Sequence, residues 1–94
     1  MFDFKDKDVL VTGAGRGIGR AIAEAFASHG ASVAANDLTP VNLDETLRRI
    51  AAADGRSKDY VFDIAMKMPV QALVEAVLDD WGRIDILVNN AGVE

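Results

Sequence analysis

Four glycines, Gly13, Gly15, Gly17 and Gly19, stand directly behind the apolar run Val9-Leu10-Val11 and directly ahead of a helical pattern. A strand that enters such a loop and leaves it as a helix presents backbone N–H groups with few side chains in the way. That suits a phosphate or pyrophosphate. The loop is not a P-loop, which ends in Gly-Lys-Ser/Thr, because no lysine lies between Lys7 and Lys58. Nor does it follow the strict G-x-G-x-x-G spacing, since Ile18 or Arg20 stands where the third glycine belongs. The pattern present is Thr12-Gly13-x-x-x-Gly17-x-Gly19. In it Gly13 allows a tight turn, Gly17 lets backbone approach a ligand, and Gly19 lets the helix lie close to the sheet. Backbone N–H groups around Ile18 then donate to the pyrophosphate. The plainer alternative is a tight strand–helix turn with no ligand.

Asp37 ends the second apolar run. A carboxylate at that place accepts hydrogen bonds from both hydroxyls of an adenosine ribose and repels a 2′-phosphate. The alternative is a turn-forming aspartate ahead of Thr39-Pro40. Arg16 argues the other way, since a basic residue in the glycine loop assists a 2′-phosphate. The charge at the ribose outweighs it, so NAD is the expected cofactor, ahead of NADP. Other chemistry is thinly supplied. Without cysteine there is no thiolate metal site, disulfide or cysteine nucleophile, and a single histidine, His29, provides no histidine-rich metal cluster. His29 reads as the cationic end of a helix rather than as a base.

The elements that must position these residues alternate. Lys7 to Thr12 reads as a strand apolar on both faces, as in a buried parallel sheet. Ile18, Ala21, Ile22, Ala25 and Phe26 form a helical stripe, with Arg20, Glu24 and Ser28 opposite and His29-Gly30 closing the helix. A second strand runs from Ala31 to Asn36. A helix follows from about Asn42 to Ala53 with Leu43, Leu47, Ile50 and Ala51 inward, and either Thr39 or Asn42 caps it, the latter in a capping box with Glu45. Ser57 to Phe62 is a third strand whose Lys58 and Asp59 suit a sheet edge. A loop holding Met66 and Met68, read as gap-fillers, leads to a helix near Pro69. Its stripe is Val70, Leu73, Val74, Val77, Leu78 and Trp81, and Asp79-Asp80 in its last turn oppose the helix dipole without evident reason. Ile84 to Asn89 is the fourth strand, with Ile86-Leu87-Val88 apolar on both faces. The expected fold is α/β: a doubly wound, Rossmann-type parallel sheet of order 3-2-1-4 with helices on both faces. Its crevice opens at the carboxyl ends of strands 1 and 4, between the glycine loop and Asn89-Asn90-Ala91-Gly92.

Composition bounds the partners. Half of the 94 residues are apolar and 27% are charged, which is globular rather than disordered. A net charge of −5 argues against nucleic acid or an anionic membrane. The charge-alternating stretch from Met1 to Asp8 is no signal peptide, and no apolar run spans a bilayer, so a cytoplasmic protein is expected.

Three elements in order, the Thr12–Gly19 loop, Asp63-Ile64 after the third strand and Asn89-Asn90-Ala91-Gly92 after the fourth, resemble the short-chain dehydrogenase/reductase family. The likeness runs from about Phe4 to Val93. It implies that Asp63 meets the adenine amino group while Ile64 packs on the ring, the alternative for Asp63 being a capping aspartate. It implies too that Asn90, Ala91 and Gly92 run beside the cofactor, Asn90 mainly through its backbone. Asn89 and Asn90 alternatively serve structure between strands, and Thr12 ties the loop to that segment. An acidic Asp37 followed by Leu38, where NADP-preferring relatives often carry a basic residue, goes with NAD. The family's serine and Tyr-x-x-x-Lys acid/base pair have no match, because Tyr60 is the only tyrosine and Ile64 stands four residues later. Residues 1–94 are therefore expected to be the N-terminal dinucleotide-binding portion of one Rossmann-type domain, inactive by themselves. The whole protein is expected to be a homo-oligomer acting on a small carbonyl or alcohol substrate, with 3-oxoacyl thioesters as the guess. A non-catalytic nucleotide module and an S-adenosylmethionine-dependent methyltransferase are the rival readings. Strand 4 is expected to be an apolar, unpaired edge that makes the isolated chain self-associate or leaves it only partly ordered near its C-terminus.

Overall fold

In a computed structural model of the chain, which describes residues 3–64 and 67–90, three helices alternate with four strands. β1 (Asp8–Thr12), β2 (Ser32–Asp37), β3 (Arg56–Val61) and β4 (Ile86–Asn89) form one parallel sheet of order β3-β2-β1-β4. α1 (Gly17–Ser28) and α2 (Pro40–Ala52) cover one face and α3 (Lys67–Trp81) the other. This is the doubly wound arrangement the alternation predicts.

Alternate side chains of β1 feed two cores. Val9 and Val11 pack with Val33, Ala35, Ala23, Leu43 and Ile50 on the α1/α2 face, while Leu10 packs with Ala34, Tyr60, Leu73 and Val77 under α3. Burying each valine, leucine or isoleucine among them contributes roughly 1.5–3 kcal/mol. β1 and β2 are the strands both cores share.

α1 is rotated from the expected stripe. Its buried face is Gly19, Ala23 and Ala27, flanked by half-buried Ile22 and Phe26, whereas Ala21 and Ala25 are exposed and Ile18 is 67% exposed. Close contact with the sheet wants small residues inward, and the larger ones fill the flanks. α2 starts earlier than the Asn42–Glu45 capping box requires. Thr39 is the N-cap without a side-chain cap bond, and Pro40 takes the first turn, where its missing N–H costs nothing. Glu45 instead pairs with Arg48 and Arg49 on the helix surface, and Ala51 is exposed.

On α3, Leu73 and Val77 are buried and Val74 and Trp81 partly so, while Val70 and Leu78 lie at the exposed margin. β4 also departs from expectation. Ile86 and Val88 join the α1-side core, but Leu87, aligned with Leu10 across the ladder, is 58% exposed. α3 seats on Leu10, Ala34 and Tyr60 and leaves β4 uncovered on that face. Met66 falls outside the described residues.

Candidate functional site

The loop after β1 is held from three sides before any ligand is considered. Gly13 and Gly17 have φ of 66° and 58°, a region that glycine enters without penalty. The Ala14 N–H donates to the Asn36 carbonyl at 2.7 Å and the Gly15 N–H to Asp37 Oδ2 at 2.8 Å, drawing the loop onto the end of β2. A Cβ on Gly15 would stand 2.5 Å from that carboxylate oxygen and 2.8 Å from Asn42 Cβ. On Gly19 it would overlap the Gly13 carbonyl oxygen, so α1 approaches the sheet only through glycine, as the spacing predicts. On Gly17 it would meet nothing within 4 Å, so that backbone faces open space.

From below, the Asn90 N–H donates to Thr12 Oγ1 at 2.9 Å, and the Thr12 hydroxyl reaches Val88 O and Asn89 Oδ1 at 3.3 and 3.2 Å. Thr12 thus ties the loop to the strand-4 segment as expected. Asn90 is buried, and its side-chain amide donates to the Gly13 carbonyl at 3.3 Å.

α1 opens with Arg16 as N-cap, in extended backbone and without a side-chain cap bond, and its first turn carries no acidic residue. The first intrahelical bond runs from the Arg20 N–H to the Arg16 carbonyl, so the N–H groups of Gly17, Ile18 and Gly19 precede the ladder. The positive end of such a helix suits an anion.

Asp37 is the turn former of its plainer reading, and it also borders the cleft. Oδ1 accepts the Leu38 and Thr39 N–H groups at 2.7 and 3.2 Å, shaping the turn into α2, while Oδ2 takes the Gly15 N–H. Two carboxylate oxygens accept about four hydrogen bonds, so a position remains at the cleft that Asp37 borders. That cleft, of about 610 Å³, lies at the carboxyl ends of the strands and under α3. Thr12, Gly13, Arg16, Asp37, Asp63 and Asn89 give it a polar rim, and Leu10, Phe62, Ile64, Leu73 and Val74 an apolar wall. A dinucleotide has that division, with a flat base at one end and anionic phosphates beside it. The size also falls within the usual range for small-molecule pockets.

Of the residues singled out from sequence, Gly13, Arg16, Asp37, Leu38, Asp63 and Ile64 border this one cleft. Gly15, Gly19 and Asn90 shape it from behind, and Gly17 and Ile18 stand at the helix mouth. Ala91 and Gly92 lie outside the described residues. His29 caps the far end of α1, its ring centroid 6.5 Å from that of Phe4. Tyr60 is buried and does not border the cleft. Its hydroxyl donates to Asp80 at 2.8 Å, and burial first, then that bond, pushes its pKa up. Among the described residues lining the cleft there is no tyrosine, lysine, serine or histidine.

Four residues escaped the sequence reading. Asn36, fully buried, donates from its amide to the Tyr60 and Phe62 carbonyls and squares the end of β2 against β3. Arg20, Asn42 and Thr46 form a polar knot behind the glycine loop. Thr46 alone left a signal, a hydroxyl on the apolar face between Leu43 and Ile50 that needs a buried partner.

Comparison with known proteins reaches the same place. The model for the family described as short chain dehydrogenase matches residues 7–94. The chain is 45% identical to a D-threitol dehydrogenase of Mycolicibacterium smegmatis, with 98% of this chain and 36% of the relative covered. To a 3-oxoacyl-[acyl-carrier-protein] reductase of Thermotoga maritima it is 40% identical, over 93% of this chain and 35% of the relative. A metagenomic short-chain oxidoreductase solved in complex with NADP superposes with a TM-score of 0.90 at 39% identity, covering 94% of this chain and 40% of that one. The chain thus spans about a third of the length of these two curated relatives.

Proposed function

The chain belongs to the short-chain dehydrogenase family, and on that premise we propose that it is the NAD(H)-binding portion of an oxidoreductase moving hydride between a nicotinamide cofactor and a carbonyl or alcohol. The observation that carries the reading is the convergence of the glycine loop, Asp37, Asp63 and Ile64 on a single cleft. In it the N–H groups at the start of α1 hold the pyrophosphate and Asp37 takes the ribose hydroxyls. Asp63 and Ile64 receive the adenine, and Asn90, Ala91 and Gly92 run beside the cofactor. The bound cofactor supplies the hydride chemistry; these residues bind and orient it. Acid/base work falls to residues outside these 94, because the only tyrosine is spent on Asp80.

For the substrate we put forward a small carbonyl or alcohol compound, with 3-oxoacyl thioesters first. Similar identity to a threitol dehydrogenase and to a 3-oxoacyl reductase is consistent with a stretch that serves the cofactor rather than one substrate. We place the protein in the cytoplasm as a homo-oligomer; no helix among the described residues is long and apolar enough to cross a membrane.

Cofactor choice is the direct test. A carboxylate at the ribose repels a 2′-phosphate, so the unmutated protein should bind NAD(H) at least about tenfold tighter than NADP(H). Replacing Asp37 by Asn should narrow that gap, since charge-assisted hydrogen bonds of about 1.5–3 kcal/mol are weakened while the side chain keeps its shape. Calorimetric titration of both cofactors reads the difference, and equal affinities in the unmutated protein would show that Arg16 outweighs Asp37.

A further inference from the structure

The knot behind the glycine loop has a direction. Arg20 does not line the cleft and reaches α2, where its Nε donates to Thr46 Oγ1 at 2.9 Å. Its Nη2 donates to the Gly15 carbonyl and, at 3.1 Å, to the Asn42 carbonyl. Thr46, fully buried, passes its own hydrogen on to the Ala14 carbonyl at 2.8 Å. Two successive carbonyls of the loop are therefore pinned from behind by one guanidinium and one hydroxyl. Among the described residues Arg20 has no carboxylate partner in an ion pair, so its fork is spent on neutral acceptors.

The consequence follows from the planarity of the peptide, whose N–H points opposite its carbonyl. With the Ala14 carbonyl held toward α2, the Gly15 N–H faces Asp37, which is the bond seen. With the Gly15 carbonyl held there too, the Arg16 N–H is turned away from α2, at the mouth of the helix. We propose that Arg20 is a positioning residue of the nucleotide site. Through Thr46 and the Ala14, Gly15 and Asn42 carbonyls it fixes the peptide orientations of the glycine loop without touching the ligand. This rests on the nucleotide-binding reading given above. Its role depends on the planar fork, which reaches three acceptors at once, and not on positive charge alone.

Arg20→Lys keeps the charge and removes the fork, Arg20→Met removes both, and Thr46→Val removes the hydroxyl without changing bulk. Two measurements on the full chain decide. The first is affinity for ADP-ribose, which carries the pyrophosphate, against adenosine, which does not. Both arginine variants should lose about tenfold for ADP-ribose, because a loop ordered only on binding subtracts from affinity, and keep adenosine within about twofold. The second is amide exchange without ligand, which should quicken at residues 14–16 and stay unchanged in β1 for all three variants. Should Arg20→Met not fold, Arg20→Lys and Thr46→Val carry both measurements. Arg20→Lys binding ADP-ribose like the parent overturns the proposal, as does an equal loss for adenosine. If the unmutated protein binds neither NAD nor NADP, the function proposed above fails. Loop exchange then judges the brace alone, and unchanged rates at residues 14–16 overturn it.

Discussion

At the scale of single residues, the glycines are where sequence and structure correspond most directly. Each spacing has one geometric demand behind it, and Gly19 meets the sternest, since any side chain there collides with rigid backbone at Gly13 rather than with a movable group. Gly19→Ala should therefore push α1 off the sheet and cost about 1–3 kcal/mol, the usual range for overpacking. Gly17→Ala has open space and pays only for its positive φ, about 1–2 kcal/mol. Urea denaturation gives both costs, while nucleotide titration should show the larger loss at Gly17, whose backbone faces open space at the start of α1. Equal loss of binding in the two variants would contradict this division of labour. Asp37 was legible as a choice between ribose ligand and turn former, and its carboxylate turns out to shape the turn while still bordering the cleft. Arg20 and Asn36 were not legible, and of Thr46 only the need for some buried partner was. Their partners are main-chain carbonyls brought close by folding, and a carbonyl leaves no mark in the order of side chains.

Among elements, the pattern of apolar residues located every helix and strand but not always which face turned inward. In α1 the larger residues Ile18, Ile22 and Phe26 suggested the stripe, yet the face against the sheet is Gly19-Ala23-Ala27. Hydrophobicity alone misses that helix–sheet distance is set by the smallest side chains. Asp79-Asp80, unexplained as sequence, gains a reason from β3. Asp80 accepts both the Tyr60 hydroxyl and the Lys58 ammonium, at 2.8 and 2.6 Å, latching the end of α3 to the edge strand. Those partners, Lys58 first, hold the Asp80 pKa below its ordinary value. Tyr60 moves the other way, up from its ordinary value through burial and then through Asp80. A group whose pKa is raised on folding contributes stability in full below its unfolded pKa and loses it as pH rises toward the folded value. The unfolded tyrosine titrates near about 10, so the loss should begin there. Tyr60→Phe removes the latch but also this titration. It should melt below the parent at pH 8, and the gap should shrink as pH climbs past 10. Thermal melts across that range test it, and a gap constant with pH would show that the hydroxyl contributes nothing through its ionisation.

On the scale of the whole molecule, the order β3-β2-β1-β4 follows from alternation and right-handed crossovers, and it alone brings the glycine loop and the Asn89-Asn90 end together across β1 and β4. What alternation does not reveal is the reach of α3. The run Ile86-Leu87-Val88 reads as a strand covered on both faces, but α3 lies over β1 to β3 and Leu87 remains 58% exposed. Among the described residues β4 pairs only with β1, so its other edge presents main-chain donors and acceptors, beside a Leu87 that lines the cleft. Natural proteins blunt such edges with charge, proline or a covering element. None of these stands within Ile86 to Asn89; Arg83 and Asp85 sit before the strand, where they engage Asp8 and lash its start to β1. We therefore expect the 94-residue chain to self-associate through β4. Leu87→Lys, which places a charge on the cleft-lining face of β4 without touching the β1 ladder, should return it toward the monomer. Sedimentation equilibrium of the two proteins over a range of concentrations measures this directly. Hydrogen exchange at residues 86–89 should slow with concentration in the parent and not in the variant. A parent that stays monomeric, with β4 amides protected as well as those of β1, would mean that the edge is closed by some other means.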